Sequence, residues 1–287
     1  MGFEEVIGKV QQWAVATEAL GALGASLALT QQGVTPDPPI AKALDTVIAA
    51  AGLDGIRELP PPQQAMLLGL TRMFIRQAAD LLDDPGRAPG WTYTEPDILD
   101  GLGRGSMMVP PMIAAAHPDL AQVSSFLDVG TGVGLLACAA ATTWPGAHVV
   151  GIDVWEPSLT RARAHIEGMG LTDRVEVRQQ PVEDLDEIDT YDCAWVPTFF
   201  LAEGVLEASL PLVVRAVKPG GWVVLGLMRT PPDPLARALL VLRTVRGGGV
   251  DLASAEAATL LAAHGCVVAD VAPSPAPVEL VIGQRTA

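Results

Sequence analysis

The stretch FLDVGTGVGLLACAAA, residues 126–141, constrains this chain more than any other. It joins an apolar run to an alanine-rich run through Gly130, Gly132 and Gly134, with one acid, Asp128, just before them. Glycine accepts the left-handed backbone of a tight strand-to-helix turn, and such a turn leaves free helix N-terminal amides facing a ligand. The same rhythm continues downstream: the apolar runs HVVGIDV, VEVRQ, YDCAWVP and GGWVVLGLM alternate with helical stretches near 158–168 and 205–217. This alternation predicts a doubly wound, mostly parallel sheet. Helices near 234–245 and 254–264 come next, then CVVADVAP and VELVIGQR. The last two runs lie close enough in sequence to form an antiparallel terminal hairpin, which makes seven strands.

The first hundred residues have a different texture. Val6, Val10, Trp13, Thr17, Leu20, Gly24 and Leu27 recur at alternating spacings of four and three, one face of a helix that Gly33 and TPDPP should end. A second helix over about 39–51 and a third over about 63–82 precede the breaker-rich DDPGRAPGW. We therefore expect an all-α cap over residues 1–100 and an α/β domain over 101–287.

Composition bounds the partners. Of 287 residues 49% are hydrophobic, enough for a large core, and 33 acids against 18 Lys plus Arg give a net charge of -15. That charge repels phosphate backbones and anionic membranes, so neither nucleic acid nor membrane is expected as a partner. Acids precede the first base at the N-terminus and Glu18 interrupts its apolar stretch, unlike a signal peptide or a spanning helix, so a cytoplasmic location is expected. Cys138, Cys193 and Cys266 are scattered singly, and no His, Asp or Glu pair has metal-ligand spacing, so no metal is expected.

The glycines fit two patterns. Asp128, Gly130, Gly132 and Gly134 read D-x-G-x-G-x-G, whereas Gly132, Gly134 and Ala137 satisfy the dinucleotide fingerprint G-x-G-x-x-A, which would make the chain an NAD-dependent reductase. Both patterns want an acid about 20 residues on, and Asp153 serves either. The acid before the glycines and the terminal hairpin favour the first pattern. Here the sequence resembles the class I S-adenosylmethionine-dependent methyltransferases: FLDVGTGVG is similar to their first motif, GIDVWEPSLTRAR to their second, YDCAWVP to their fourth and AVKPGGWVVLG to the turn and strand that follow. The resemblance covers about residues 123–287. It implies methyl transfer from S-adenosylmethionine, with S-adenosylhomocysteine as product.

Carried onto this chain, the resemblance implies that the loop Gly130, Thr131, Gly132, Val133 and Gly134 wraps the methionine part of the donor, that Asp128 meets its ammonium group, and that Asp153 holds its ribose. Val154, with Trp155 beside it, would pack on adenine. The family often has an Asp for the adenine amino group where this chain has Pro181, so Val182 and Glu183 are the substitutes. Ser106, in GRGS, is a candidate for the donor carboxylate.

For the acceptor, a small and apolar or aromatic metabolite, the candidates are Trp91 and Tyr93 in the Gly/Pro-rich linker, a lid or a plain connector, and Trp195, Phe199 and Phe200 around the fourth strand. No catalytic base stands out; His117, Tyr93 and Glu95 are the candidates. Without a clear base, a protein that binds the donor but transfers no methyl group is a further alternative. The stripe from Val6 to Leu27 offers either the cap's own core or a homodimer face.

Overall fold

In the computed structural model, residues 2–269 and 277–286 are described. The chain divides into two compact units, residues 1–87 with 95–105, and residues 88–94 with 106–287. The division is interleaved, because the short segment 88–94 belongs to the second unit while residues on either side belong to the first.

The first unit is helical: α1 (Phe3–Gln32), α2 (Pro38–Ala50), α3 (Pro61–Asp83) and most of α4 (Pro96–Ser106). Gly33 ends α1 in the left-handed conformation, as its sequence position suggests. Gly24, Ser26 and Leu27 are buried, and Leu27 joins Ile48, Ile56 and Leu68 in a small core. A Cβ on Gly69 would lie 2.6 Å from the Cα of Gly101, so two glycines let α3 and α4 cross at backbone contact. The expected stripe on α1 splits: Leu27 is core, while Val10 and Trp13 remain about half exposed, at 55% and 51%. By length and composition α1 is apolar enough to cross a membrane, and only 17% of its most apolar window is buried.

The second unit carries a seven-stranded sheet in the order β3-β2-β1-β4-β5-β7-β6. Its strands are β1 (Ser125–Val129), β2 (His148–Asp153), β3 (Val175–Gln179), β4 (Tyr191–Pro197), β5 (Val217–Met228), β6 (Cys266–Ala269) and β7 (Val278–Arg285). The first five pair in parallel, and β7 runs antiparallel between β5 and β6. The expected terminal hairpin is therefore present; its SPAP connection lies largely outside the described residues. Helices α5 (Val109–Ala116), α6 (Leu135–Thr143), α7 (Glu156–Gly168), α8 (Glu203–Ala216), α9 (Pro234–Arg246) and α10 (Ser254–Ala263) complete the unit.

Two cores cover the sheet. Phe126, Trp144, Trp195 and Trp222 build one, and Leu127, Val129, Val196, Leu210 and Leu225 build the other, so successive residues of β1 face opposite layers. Asp192 fastens the amino end of β1: its Oδ2 accepts the backbone N–H groups of Ser124 (2.8 Å) and Ser125 (2.9 Å), and its Oδ1 meets Lys218 Nζ at 2.7 Å. All three cysteines are buried and free. The strand order reverses direction between β1 and β4, and in open α/β sheets ligands bind outside the carboxyl ends at such a point.

Candidate functional site

The glycine turn follows β1 directly. Gly130, Gly132 and Gly134 have φ of 68°, 56° and 72°, left-handed values that L side chains rarely adopt. A Cβ on Gly134 would lie 2.9 Å from that of Ala162, so this glycine lets α6 pack closely on α7. Among the described residues other than its chain neighbours, a Cβ on Gly132 would meet only the Gly130 carbonyl oxygen at 4.0 Å, which leaves its face open for a ligand. Thr131 tucks inward: its N–H donates to the Ile152 carbonyl (3.0 Å) and its hydroxyl to Asp128 Oδ2 (2.7 Å). Gly151 makes that possible, because a Cβ there would meet Thr131 Oγ1 at 2.5 Å. Ring Nδ1 of His165 lies 2.9 Å from the Val133 carbonyl and ties the loop to α7.

Asp128 is 1% exposed, and its Oδ1 is buried without a hydrogen-bond partner among the described residues. Burial pushes its carboxyl up to about 7; the Thr131 hydroxyl opposes the shift and the negative Asp153 adds to it. An orphaned buried acceptor calls for a partner, and a ligand ammonium group would both supply one and favour the charged carboxylate. Asp153, at the end of β2, receives two backbone donors, Gly132 N–H on Oδ2 and Trp155 N–H on Oδ1, both at 2.8 Å. Burial raises its pKa and those bonds oppose the rise. The carboxylate keeps spare lone pairs for hydroxyl donors. Val154 next to it is 63% exposed, an apolar surface standing free beside an acid.

The end of β3 is tied to the same loop, with Gln180 N–H on the Asp153 carbonyl at 3.0 Å. Pro181 opens a short 3-10 turn over Val182–Asp184. The Val182 side chain is in the core, so only its backbone could face a ligand, and Glu183 is exposed. This arrangement suits a nucleoside linked to an amino acid: a glycine cradle and a buried acid for the amino-acid end, a second acid and an apolar face for the nucleoside.

At the carboxyl end of β4, the 3-10 turn Thr198–Phe200 brings Phe199 and Phe200 together, ring centroids 4.8 Å apart. The segment 88–94 joins them. Trp91 packs edge-on against Tyr93 at 5.1 Å and against Phe200 at 5.9 Å, and the Trp155 indole N–H donates to the Tyr93 carbonyl at 3.3 Å. Gly90 N–H donates to the Arg246 carbonyl at 3.0 Å, and a Cβ on Gly249 would lie 1.9 Å from the Phe199 carbonyl oxygen. Aromatic side chains thus collect beside the loop that follows Asp153. Nothing local in the sequence announced the Trp155 contact, which joins residues 62 apart, or the glycine approaches at Gly151 and Gly249.

Other candidates stand elsewhere. Trp195 is 3% exposed inside β4, paired with Asp128 and Val224, and its ring fills the space that the bare Gly226 leaves, so it is core rather than acceptor wall. His117 packs on Trp222 at 4.5 Å between ring centroids, and its Nδ1 accepts the Asp119 N–H. Trp222 pairs with Cys193, which pairs with Phe126 near the amino end of β1. His117 therefore caps a turn at the end of the sheet opposite the glycine loop and is not placed to act as the base. Glu95 belongs to the helical unit and faces Arg76 Nε at 3.8 Å. Ser106 is the last residue of α4. Of the base candidates, only Tyr93 stands in the aromatic cluster.

Comparison with known proteins favours the first of the two glycine patterns. Residues 126–221 match the methyltransferase domain family. Ubiquinone biosynthesis O-methyltransferase of Bordetella avium is 39% identical over 120 residues, 40% of this chain and 46% of that protein. The chain thus spans about half the length of that curated relative. The structure of human N-acetylserotonin methyltransferase in complex with S-adenosylmethionine superimposes over 100% of both chains, with a TM-score of 0.74 and 15% identity. That of mitomycin 7-O-methyltransferase MmcR covers 99% of this chain and 98% of that one, with a TM-score of 0.68 and 21% identity. Residues 126–221 thus match a methyltransferase domain, and the fold of the chain is that of the methyltransferase structures on which it superimposes.

Proposed function

We propose that the protein transfers a methyl group from S-adenosylmethionine to a small, apolar or aromatic metabolite. The observation that carries this reading is the orphaned, buried Asp128 Oδ1 beside an open glycine cradle, with Asp153 at the neighbouring strand end. When bound, the donor supplies an electrophilic methyl group on a sulfonium. The protein's part is to orient and desolvate: Asp128 would meet the donor ammonium group, the Gly130–Gly134 loop its methionine chain, Asp153 its ribose hydroxyls, and Val154 with the Val182–Glu183 backbone its adenine. Ser106 is the candidate for the carboxylate. Close alignment and exclusion of water both favour such a displacement.

Trp91, Tyr93, Phe199 and Phe200 would form the acceptor wall, since a clustered set of aromatic rings favours a planar apolar ligand. Tyr93 is the candidate to receive an acceptor proton. The names of the similar proteins, among them N-acetylserotonin and mitomycin methyltransferases, agree with a small acceptor. Incubation with methyl-labelled donor and a panel of small phenols, quinols and aromatic amines tests the reading. Label should appear in a small product, and label found only in protein, or in nothing despite tight donor binding, would refute it. We place the protein in the cytoplasm and assign the exposed apolar face of α1, around Val10 and Trp13, to pairing with a second copy.

A further inference from the structure

The contact between Trp155 and segment 88–94 joins two sites that the proposed reaction must fill together. We infer that Trp155 is a positioning residue that couples donor binding to the acceptor wall, with its indole N–H holding segment 88–94 more firmly when the donor occupies the Asp153 loop. The inference rests on the donor reading above and extends it to the order in which the two ligands are accommodated.

The geometry runs in one chain of contacts. Asp153 binds both the glycine loop, through Gly132 N–H, and the backbone N–H of Trp155. Trp155 is the residue that precedes α7, so its backbone is set by that carboxylate and by the start of the helix. Its indole N–H reaches across to the Tyr93 carbonyl, a 3.3 Å bond at the long end of the hydrogen-bond range. The carbonyl it holds belongs to a residue whose ring packs against Trp91, and Trp91 in turn packs on Phe200. A donor engaging Asp153 would therefore stand two hydrogen bonds, both made by Trp155, from Tyr93 of the acceptor wall.

Segment 88–94 is built to respond. It holds no helix or strand and contains Pro89 and Gly90. Besides the Trp155 bond, its backbone is fastened at Gly90, whose N–H reaches the Arg246 carbonyl and whose Cα faces the bare Gly248. A Cβ on Gly248 would lie 3.2 Å from Gly90 Cα, at a φ of +87° that disfavours any side chain. The segment is thus fastened near Gly90 to the end of α9, and at the Tyr93 carbonyl to the indole of Trp155, among its other contacts. A long hydrogen bond is worth little and is easily strengthened, so a change in the order of the Asp153 loop alters its contribution to holding the segment.

Hydrogen–deuterium exchange of the full-length protein tests this, with S-adenosylhomocysteine as the probe. In the wild type, saturating S-adenosylhomocysteine should slow exchange in a peptide covering 88–94 by about fivefold, the effect of one ordinary hydrogen bond. In Trp155→Phe, which keeps an aromatic ring and loses the N–H, the slowing should disappear at S-adenosylhomocysteine concentrations that calorimetry shows to saturate the variant. If that variant does not fold, Gly248→Ala loosens the other anchor and leaves the indole in place: exchange of the segment should be faster without ligand, and its slowing by S-adenosylhomocysteine should persist. A segment that does not respond in the wild type, or that slows equally in Trp155→Phe, overturns the coupling while leaving the donor site intact. Failure of S-adenosylhomocysteine to bind the wild type would overturn the donor assignment, and the coupling with it.

Discussion

Replacing Asp128 by Asn separates what this residue costs the fold from what it does for a ligand. Burial moves its carboxyl from 3.8 to about 7. At 1.36 kcal/mol per pH unit, keeping the carboxylate charged in the free protein costs about 4 kcal/mol above pH 7. Asn has the same shape and can still accept the Thr131 hydroxyl, but its amide would leave N–H groups without a partner where Oδ1 now lies, at about 1–3 kcal/mol. The net expectation at pH 8 is a gain of roughly 1–3 kcal/mol, and about 2–4 °C in melting temperature per kcal/mol for a domain of this size. The sign follows from the direction of the shift. A raised native pKa means that the wild type loses stability as pH rises from about 4 to about 7, so the variant's advantage should shrink by roughly 2–3 kcal/mol between pH 8 and pH 5. Donor affinity should move the other way, falling about 10- to 100-fold with the loss of a charge-assisted bond to the ammonium group. Thermal melts at the two pH values and calorimetry with S-adenosylhomocysteine measure both. A variant that is less stable at pH 8 and binds as tightly as wild type would refute the assignment.

Other perturbations follow from the same geometry. Asp153→Ala removes the acceptor of both the Gly132 and Trp155 N–H groups as well as the proposed ribose contact; calorimetric affinity for S-adenosylhomocysteine should fall by at least tenfold, about 1.4 kcal/mol. Gly134→Ala puts a Cβ 2.9 Å from Ala162 at a φ of 72° and should lower stability by about 1–3 kcal/mol, read as an earlier melt. His117→Ala should cost about 1 kcal/mol through the lost cap and the lost packing on Trp222, and leave methyl transfer to any identified acceptor unchanged. Val10→Glu with Trp13→Glu places charge on the exposed face of α1 and should halve the mass measured by light scattering, while an unchanged dimer mass would refute that face as the interface.

Much of the fold was legible because local chemistry and tertiary demand agreed. The glycine turn, Gly33 at the end of α1 and the alternation of apolar runs and helices each carry their own signal. Helix α4 was not legible. GLGRGS reads as loop from propensity, and Gly101 is tolerated in the helix because Gly69 packs against its backbone. Trp195 was misjudged because β4 is buried on both faces, so no alternation marks which residues point into a core. His117 lay close in sequence to the donor strand, but sequence proximity does not tell one end of a strand from the other. The aromatic cluster was half legible. The aromatic residues stood out, but the bond that brings Trp155 to Tyr93 uses a backbone carbonyl, which no residue type advertises.

Calorimetric titration of the purified protein with S-adenosylhomocysteine and, separately, with NAD tests the central claim most directly. Two readings of one glycine loop stand behind those two ligands, and only one gives a task to the buried carboxylate before the loop. The account predicts saturable binding of S-adenosylhomocysteine that weakens as pH falls below about 7, where Asp128 takes up its proton, and no binding of NAD. Saturable binding of NAD without binding of S-adenosylhomocysteine would contradict it.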